Sequence, residues 1–504
     1  MLRVSRRRFL ATAASGAAGT IVGRRAASHT LDANNAVRVG VVGLRGRGQL
    51  HLSMVSSIAG FRLAAVCDVD PAVLGGVVET VRNRGEQIRG FQDIRDLIAC
   101  KDVDAITIAT PNHWHALAAI WACQAGKDVY VEKPVSHNIF EGHRLVQAAR
   151  KYQRMVQVGT QARSNPDLIE AVAWVRAGNL GKIEYARGTC YKPRMSIGKA
   201  GTGPIPPGLN YDLWLGPASK KLLTRKNLHY DWHWMYDYGN GDLGNQGVHE
   251  MDIARWFLGQ AAVSPRVISI GGRLGYDDDG ETPNTQLIYH AYEGPPLVFE
   301  VRGLPTSKEF QASGQLWGEN MDTLEGFSRG RGVGVLVVCE GGRLAVIEGG
   351  ESLVAVDREG KTIRRFDQVH PQFGRGWGKG DNYHFRNWLE AIRTRNPAGL
   401  TAEALEGHVS AALCHMGMIS HRLGQPLPAS RIREQVQSHA LLAERFGAFC
   451  DHLSHNGIDL EQTHATLGPW LAMDPMQEQF VNSPAAKALI SRPYREPFVV
   501  PAIE

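Results

Sequence analysis

From residue 37 onward the apolar positions cluster in short, nearly unbroken runs: "VRVGVVG", "FRLAAVCD", "DAITIAT", "DVYVEK" and "RMVQVG". Runs of this kind predict strands buried on both faces. Helix-length stretches such as 113–126 and 138–151 lie between them. This alternation predicts an α/β domain over residues 36–160, a parallel, doubly wound Rossmann sheet. After Gln157-Val158-Gly159 the rhythm changes. A helix near 166–177 leads into "GKIEYARGTCY", followed by "RVISIGGRL", "TQLIYHAY", "LVFEVRG", "GVLVVCEGG", "GRLAVIEGG" and "SLVAVD". Alternating apolar residues between glycine-rich turns predict an α+β C-terminal domain, residues 161–425. Its sheet would be mostly antiparallel and open, with one face covered by helices. "GDNYHFRNWLEAIRTRNP" and 402–423 predict late amphipathic helices, with Asp381 as a candidate cap for the first. Residues 426–504 are less regular and predict an extension of helices and an extended tail packed on the body.

Composition narrows the classes. A chain of 504 residues is too long for one core, so at least two domains are expected. The net charge of +6 owes much to Arg3, Arg6, Arg7, Arg8, Arg24 and Arg25, leaving the remainder near neutral. No nucleic-acid footprint is therefore expected. With no run of 18 apolar residues, a membrane span is not expected either. Seven scattered cysteines without C-x-x-C spacing disfavour zinc and a disulfide framework. The opening "SRRRFLATAASGAAGTIVG" resembles a twin-arginine export signal, placed at residues 1–33 and lacking a clear A-x-A cleavage site. Export by that route implies a periplasmic or other extracytoplasmic location.

Candidate chemistry collects at the ends of the predicted strands. The first turn reads Gly43-Leu44-Arg45-Gly46-Arg47-Gly48. A dinucleotide fingerprint wants glycines at 43, 45 and 48; here Arg45 takes the middle place and Gly46 follows one step later. Such a turn still aims backbone N–H groups and a helix start at a pyrophosphate. Asp68, twenty residues past Gly48, would accept hydrogen bonds from ribose hydroxyls and repel a 2′-phosphate, favouring NAD over NADP. Two further strand ends carry Thr110-Pro111-Asn112, with His115 just inside the next helix, and Glu132-Lys133-Pro134. His113 is expected as a cap or surface residue.

"VGVVGLRGRGQLH", "AVCDVD", "IATPNHWHA", "AGKDVYVEKP" and "GNQGVHEMD" occur in this order, and together they resemble the Gfo/Idh/MocA family of sugar and cyclitol oxidoreductases, which includes glucose–fructose oxidoreductase and inositol dehydrogenase. The likeness spans roughly residues 36–425. It implies that Lys133 reaches the nicotinamide end of the cofactor and hydrogen-bonds the reacting sugar oxygen. It also implies cofactor contacts from Gln161 and Arg163. The family pattern D-x-G-x-H-x-x-D aligns with Asn245, Gly247, His249 and Asp252, making His249 the catalytic acid or base. Asn245 departs from the common Asp: an amide can orient a hydroxyl but cannot take a proton. Asp252 either orients His249 or caps and pairs on its helix. The resemblance further implies a homo-oligomer built through the open sheet face.

"NLHYDWHWMYDYGNGD" is dense in aromatic and polar groups, among them Trp232 and His233, and suits the C–H faces and hydroxyl rim of a sugar. A buried aromatic core or a subunit contact would use the same residues. Tyr191 and Lys192, in "CYKPRMSIGK", are further substrate candidates, with Arg194 and Lys199 as added cations. The histidine spacing lacks the i, i+4 pair of a zinc helix, so no metal is expected. The function expected is an NAD-dependent oxidoreductase acting on a CH–OH group of a sugar, cyclitol or glycoside, with the cofactor tightly held. An exported enzyme must restore that cofactor in each cycle. The alternatives are an NAD-dependent glycosidase or lyase working through a transient keto-sugar, and a non-catalytic sugar-binding protein on the same fold.

Overall fold

The computed structural model describes residues 35–309, 332–366 and 377–503. The proposed export signal at residues 1–33 lies outside them.

Six parallel strands form the N-terminal sheet: β1 Val37–Val42, β2 Phe61–Cys67, β3 Arg89–Phe91, β4 Ala105–Ile108, β5 Asp128–Val131 and β6 Val156–Val158. Their spatial order is β3-β2-β1-β4-β5-β6. Helices α1 Arg47–Ser57, α2 Pro71–Arg82, α3 Ile94–Ala99, α4 Asn112–Gln124 and α5 Ile139–Lys151 connect them. Val39, Val41, Ile106, Ile108, Val129 and Val131 are fully buried, which explains why these strands lack polar alternation. The order turns back between β1 and β4, and at that switch point the carboxyl ends of the strands open a crevice.

The second sheet is mixed. Strands β7 Ile183–Tyr191, β8 Arg266–Gly272, β9 Thr285–Ala291, β10 Leu297–Arg302, β11 Val333–Cys339, β12 Gly342–Ile347, β13 Ser352–Asp357 and β14 Thr362–Arg365 run in the order β14-β13-β12-β11-β7-β10-β9-β8. Every pairing is antiparallel except β7 with β10. Successive residues separate into two cores, as the period-2 pattern requires. Val267, Ile288 and Phe299 face the helices Gly247–Leu258 and Ala404–Arg422, through Met251, Phe257 and Leu413. Ile268, Leu287 and Val298 face the opposite way.

That opposite face is not open over β8–β10. Helices Ala429–Val436 and Ala440–His455 lie on it through Ile432, Leu442, Phe446 and Phe449. The C-terminal residues also lengthen the sheet: β15 Gln425–Leu427 and β16 Ala465–Leu467 continue it beyond β8, and the hairpin β17 Leu471–Asp474 and β18 Gln479–Val481 pairs with β8. The tail then returns to the first domain, where Phe498 packs against Trp114 and Trp121.

The helix Trp377–Thr394 docks on the Rossmann sheet rather than on its own domain. Phe385 stacks on Tyr130 with ring centroids 4.2 Å apart, and Trp388 is fully buried beside them. Asp381 is not its cap, because the helix begins four residues earlier; its carboxylate pairs with Arg47. Among the described residues no helix is long and apolar enough to cross a membrane.

Candidate active site

The glycine turn after β1 is built from three different constraints. Gly43 has φ +79°, and a Cβ there would lie 2.7 Å from the Ala109 carbonyl oxygen. A Cβ on Gly48 would meet the Gly43 carbonyl oxygen at 1.8 Å, so only glycine lets α1 start this close to the turn. Gly46, at φ +45°, faces open space with nothing within 4 Å. The turn is therefore a cradle that side chains would fill, with the α1 N-terminus behind it, and it fits a pyrophosphate. Asp68 is fixed beside it: its carboxylate accepts hydrogen bonds from Leu44 N at 2.9 Å and Asp70 N at 3.0 Å. Burial pushes this carboxyl above its ordinary value, and the two N–H donors hold the rise back.

A cleft of about 330 Å³ runs from this turn and Asp68 to the other strand ends. Gly43, Arg45 and Gly46 line its phosphate end; Thr110, Pro111, Asn112 and His115 line the β4 side. Glu132, Lys133, Asn245, Trp232 and His233 close the far end. His115 is buried with its ring between the carbonyl oxygens of Thr110 and Pro134, each 2.7 Å from a ring nitrogen. Trp232 and His233 stack at 3.7 Å, and burial drops the His233 pKa to about 4.

Lys133 Nζ donates to the Asn245 backbone oxygen at 2.8 Å and to its amide oxygen at 3.4 Å. Burial lowers the Lys133 pKa to about 8, against the pull of neighbouring Glu132. The peptide bond to Pro134 is cis. Glu132 itself is pinned: Arg47 Nε donates to it at 2.6 Å, and His51 Nε2 lies 3.1 Å away. Arg47 Nη1 donates on to Asp381 Oδ2 at 3.1 Å, and Nη2 donates to Oδ1. Arg47, His51, Tyr130 and Asp381 were not apparent as site residues from the sequence. A signal did exist, since Arg47 and His51 stand at i, i+4 on one face of α1, beside a glycine turn where charged residues are seldom buried.

His249 is buried on the helix Gly247–Leu258, which follows the short helix Gly241–Asn245. Burial, then the Lys133 ammonium, hold its pKa well below the ordinary 6.5, so the imidazole is neutral at neutral pH. His249 is not among the residues that line the cleft; Lys133, which is, is the charge that acts on it most strongly. Next to His249, Glu250 accepts from Gln246 Nε2 at 3.1 Å, and burial raises its carboxyl to about 8.

Several expected contacts lie elsewhere. Arg163 does not line the cleft; it is locked in a buried ion pair, with Nε 2.8 Å from Asp252 Oδ2 and Nη2 2.9 Å from Glu406. Asp252 accepts from Ser410 Oγ at 2.6 Å as well, so its carboxylate is engaged in buried pairing. Gln161 sits behind the cleft, with Nε2 3.3 Å from the Tyr130 hydroxyl and 3.4 Å from Glu132. Tyr191 turns toward the C-terminal helix, 3.2 Å from His452 Nδ1. Lys192 donates to Gln246 Oε1 at 3.2 Å, and its charge adds to the field that lowers Lys133 and His249. Arg194 is occupied by buried Asp242, and Lys199 by exposed Asp277. His113 is fully buried, bound to the Trp214 carbonyl at 2.9 Å, and is neither cap nor surface.

Comparison with known proteins gives one consistent answer. Residues 37–160 match the NAD-binding Rossmann fold of an oxidoreductase family, and residues 183–310 match the same family's C-terminal α/β domain. A glycosyl hydrolase family 109 protein from Shewanella pealeana is 28% identical over 204 residues, 36% of this chain and 45% of that one. Another from Shewanella sp. strain ANA-3 is 34% identical over 152 residues, 29% of this chain and 33% of its own. The matched segments thus take in less than half the length of these curated relatives. Among solved structures, the WlbA dehydrogenase from Chromobacterium violaceum, in complex with NADH and UDP-GlcNAcA, superposes with a TM-score of 0.55 at 19% identity, covering 76% of this chain and 94% of that one. A levoglucosan dehydrogenase in complex with NADH gives 0.54 at 17% identity, covering 76% and 97%. At such identities these structures share the fold. The two domain matches, in family order and together spanning half of the chain, place it in the Gfo/Idh/MocA oxidoreductase family.

Proposed function

We propose that this protein is an NAD-dependent oxidoreductase that acts on a CH–OH group of a sugar or glycoside and keeps its cofactor tightly bound. The observation that carries the reading is the far end of the cleft, where the Lys133 ammonium is held on Asn245 and its charge helps keep His249 neutral. The Gly43–Gly48 turn and α1 would hold the pyrophosphate, and Asp68 the adenosine ribose. Bound there, NAD supplies a hydride acceptor and donor. Lys133 Nζ would hydrogen-bond the reacting hydroxyl and stabilise negative charge on its oxygen as the O–H proton leaves. An imidazole nitrogen of His249 takes that proton, a task open to a neutral ring. Asn245 orients but cannot share this role, since its amide is too weak a base to take a proton. Trp232 stacked on His233 gives the sugar an apolar plate.

A second reading is that the same site cleaves a glycoside without net redox change. It is favoured by the naming of the curated relatives as glycosyl hydrolase family 109 proteins. In the same spirit, "SRRRFL" supports export by the twin-arginine route to an extracytoplasmic compartment. Adding free sugars and aryl glycosides to protein purified without added nucleotide tests both mechanisms. A lasting rise in the NADH band supports dehydrogenation. Release of the aglycone with no lasting rise supports cleavage, and neither, with no nucleotide released on denaturation, removes the redox account.

A further inference from the structure

We propose that His143, His408 and Glu478 form a zinc site that fastens the C-terminal hairpin to the body of the protein. The three residues come from distant parts of the chain. His143 lies on α5 of the Rossmann domain, His408 on the helix Ala404–Arg422 of the second domain, and Glu478 in the turn between β17 and β18. Their ligand atoms all lie within 4.8 Å of one another. His143 Nδ1 is 2.9 Å from Glu478 Oε2, and His408 Nε2 is 2.9 Å and 2.8 Å from the two carboxylate oxygens.

Two imidazole nitrogens and one carboxylate are a ligand set suited to Zn²⁺, and too rich in nitrogen for Ca²⁺ or Mg²⁺. Bonds of about 2.0–2.2 Å in a tetrahedron put ligand atoms roughly 3.4 Å apart. The carboxylate needs to back off by about half an ångström, and the two nitrogens, within 4.8 Å of each other, to settle at that spacing. Exposure suits the fourth ligand. The His408 side chain is 1% exposed and that of Glu478 11%, but His143 is 44% exposed, so one side of the cluster is open to a water.

Two local features show what the chain gives up to keep these groups in place. The His408 ring presents Nε2 to Glu478 and buries Nδ1 against Gly142. The ring is admitted there by Gly142, where a Cβ would lie 2.3 Å from that nitrogen. Glycine inside a helix costs about 1 kcal/mol relative to alanine, so the position favours the imidazole over the helix. Glu478 in turn occupies left-handed backbone at φ +53°, where Gly or Asn fits more easily. The chain keeps a carboxylate there despite that cost. None of the three residues lines the cleft. Widely separated residues such as these form no spacing motif, so a sequence reading that expects no metal passes over them.

The test uses untagged full-length protein, stripped with EDTA and dialysed. Equilibration with ZnCl₂ should load one Zn²⁺ per chain by elemental analysis and raise Tm by several degrees, while MgCl₂ does neither. His143→Ala removes a half-exposed ring and should fold with the Tm of stripped wild type, yet neither bind zinc stoichiometrically nor gain Tm from it. Glu478→Gln keeps an acceptor for both rings and should behave likewise. Zinc content well below one per chain in wild type, or an equal zinc response in wild type and His143→Ala, overturns the proposal.

Discussion

Lys133→Met should abolish turnover and yet make the protein harder to unfold. The lysine pKa falls from the ordinary 10.5 to about 8 in the folded protein. At roughly 1.4 kcal/mol per pKa unit, keeping it charged costs the fold at most about 3 kcal/mol. Cleft water lessens that figure, and methionine forfeits the hydrogen bond to Asn245, worth about 1.5 kcal/mol for a charged donor. A net gain of about 1 kcal/mol remains, or roughly 1 °C in Tm. The sign is checked by pH. Below pH 8 both folded and unfolded chains carry the ammonium, and the full cost falls on wild type. Between 8 and 10.5 the folded chain has released a proton that the unfolded chain still holds, so wild-type stability rises with pH. The advantage of the variant should therefore be lost early in that window and become a deficit toward its upper end. Thermal unfolding of both proteins from pH 6.5 to 10.5, alongside the NADH-band assay, measures each part. A variant less stable than wild type at pH 7, or one that still turns over, refutes the placement of a desolvated ammonium at the reacting centre.

Other outcomes follow from the same geometry. His249→Gln should lower kcat by about 10²–10⁴-fold while leaving Tm unchanged, as loss of a positioned base does. Because His249 is held well below pKa 6.5, the acid limb of wild-type kcat/KM should also fall below pH 6.5; a limb near 7 would contradict it. Arg163→Met strands the buried Asp252 carboxylate and should destabilise the fold by about 3–5 kcal/mol without changing NAD affinity. A loss of NAD affinity at unchanged Tm would return Arg163 to the cofactor site. Asp68→Ser removes the charge facing a 2′-phosphate, so the NADP-to-NAD affinity ratio by titration should rise at least about tenfold.

The Rossmann half is largely legible because its strands are buried on both faces: an apolar run between glycine turns admits few other structures. The strand-end residues follow from that order, and thus Lys133 and Asp68 fall on one crevice. Partner choice is not legible. Amphipathicity marks a buried face on 377–394, but nothing local says that Phe385 and Trp388 cross to the other domain, or that Asp381 is aimed at Arg47. Arg163 misleads for a related reason. It stands three positions after Thr160, yet the 3₁₀ turn Gln161–Ser164 swings it to Asp252, which is 89 residues away along the chain. The C-terminal helices looked irregular because their apolar residues answer to a sheet built some 150 residues earlier.

Arg47 has a mechanical consequence. Its guanidinium joins the phosphate turn, through Glu132, to the segment that leads from β5 into Lys133, and through Asp381 to a helix from the far half of the chain. The loop that would grip the nucleotide cannot drift without dragging the lysine with it. Seating the cofactor and aiming the ammonium become one degree of freedom, so a misplaced dinucleotide would also be a chemically silent one.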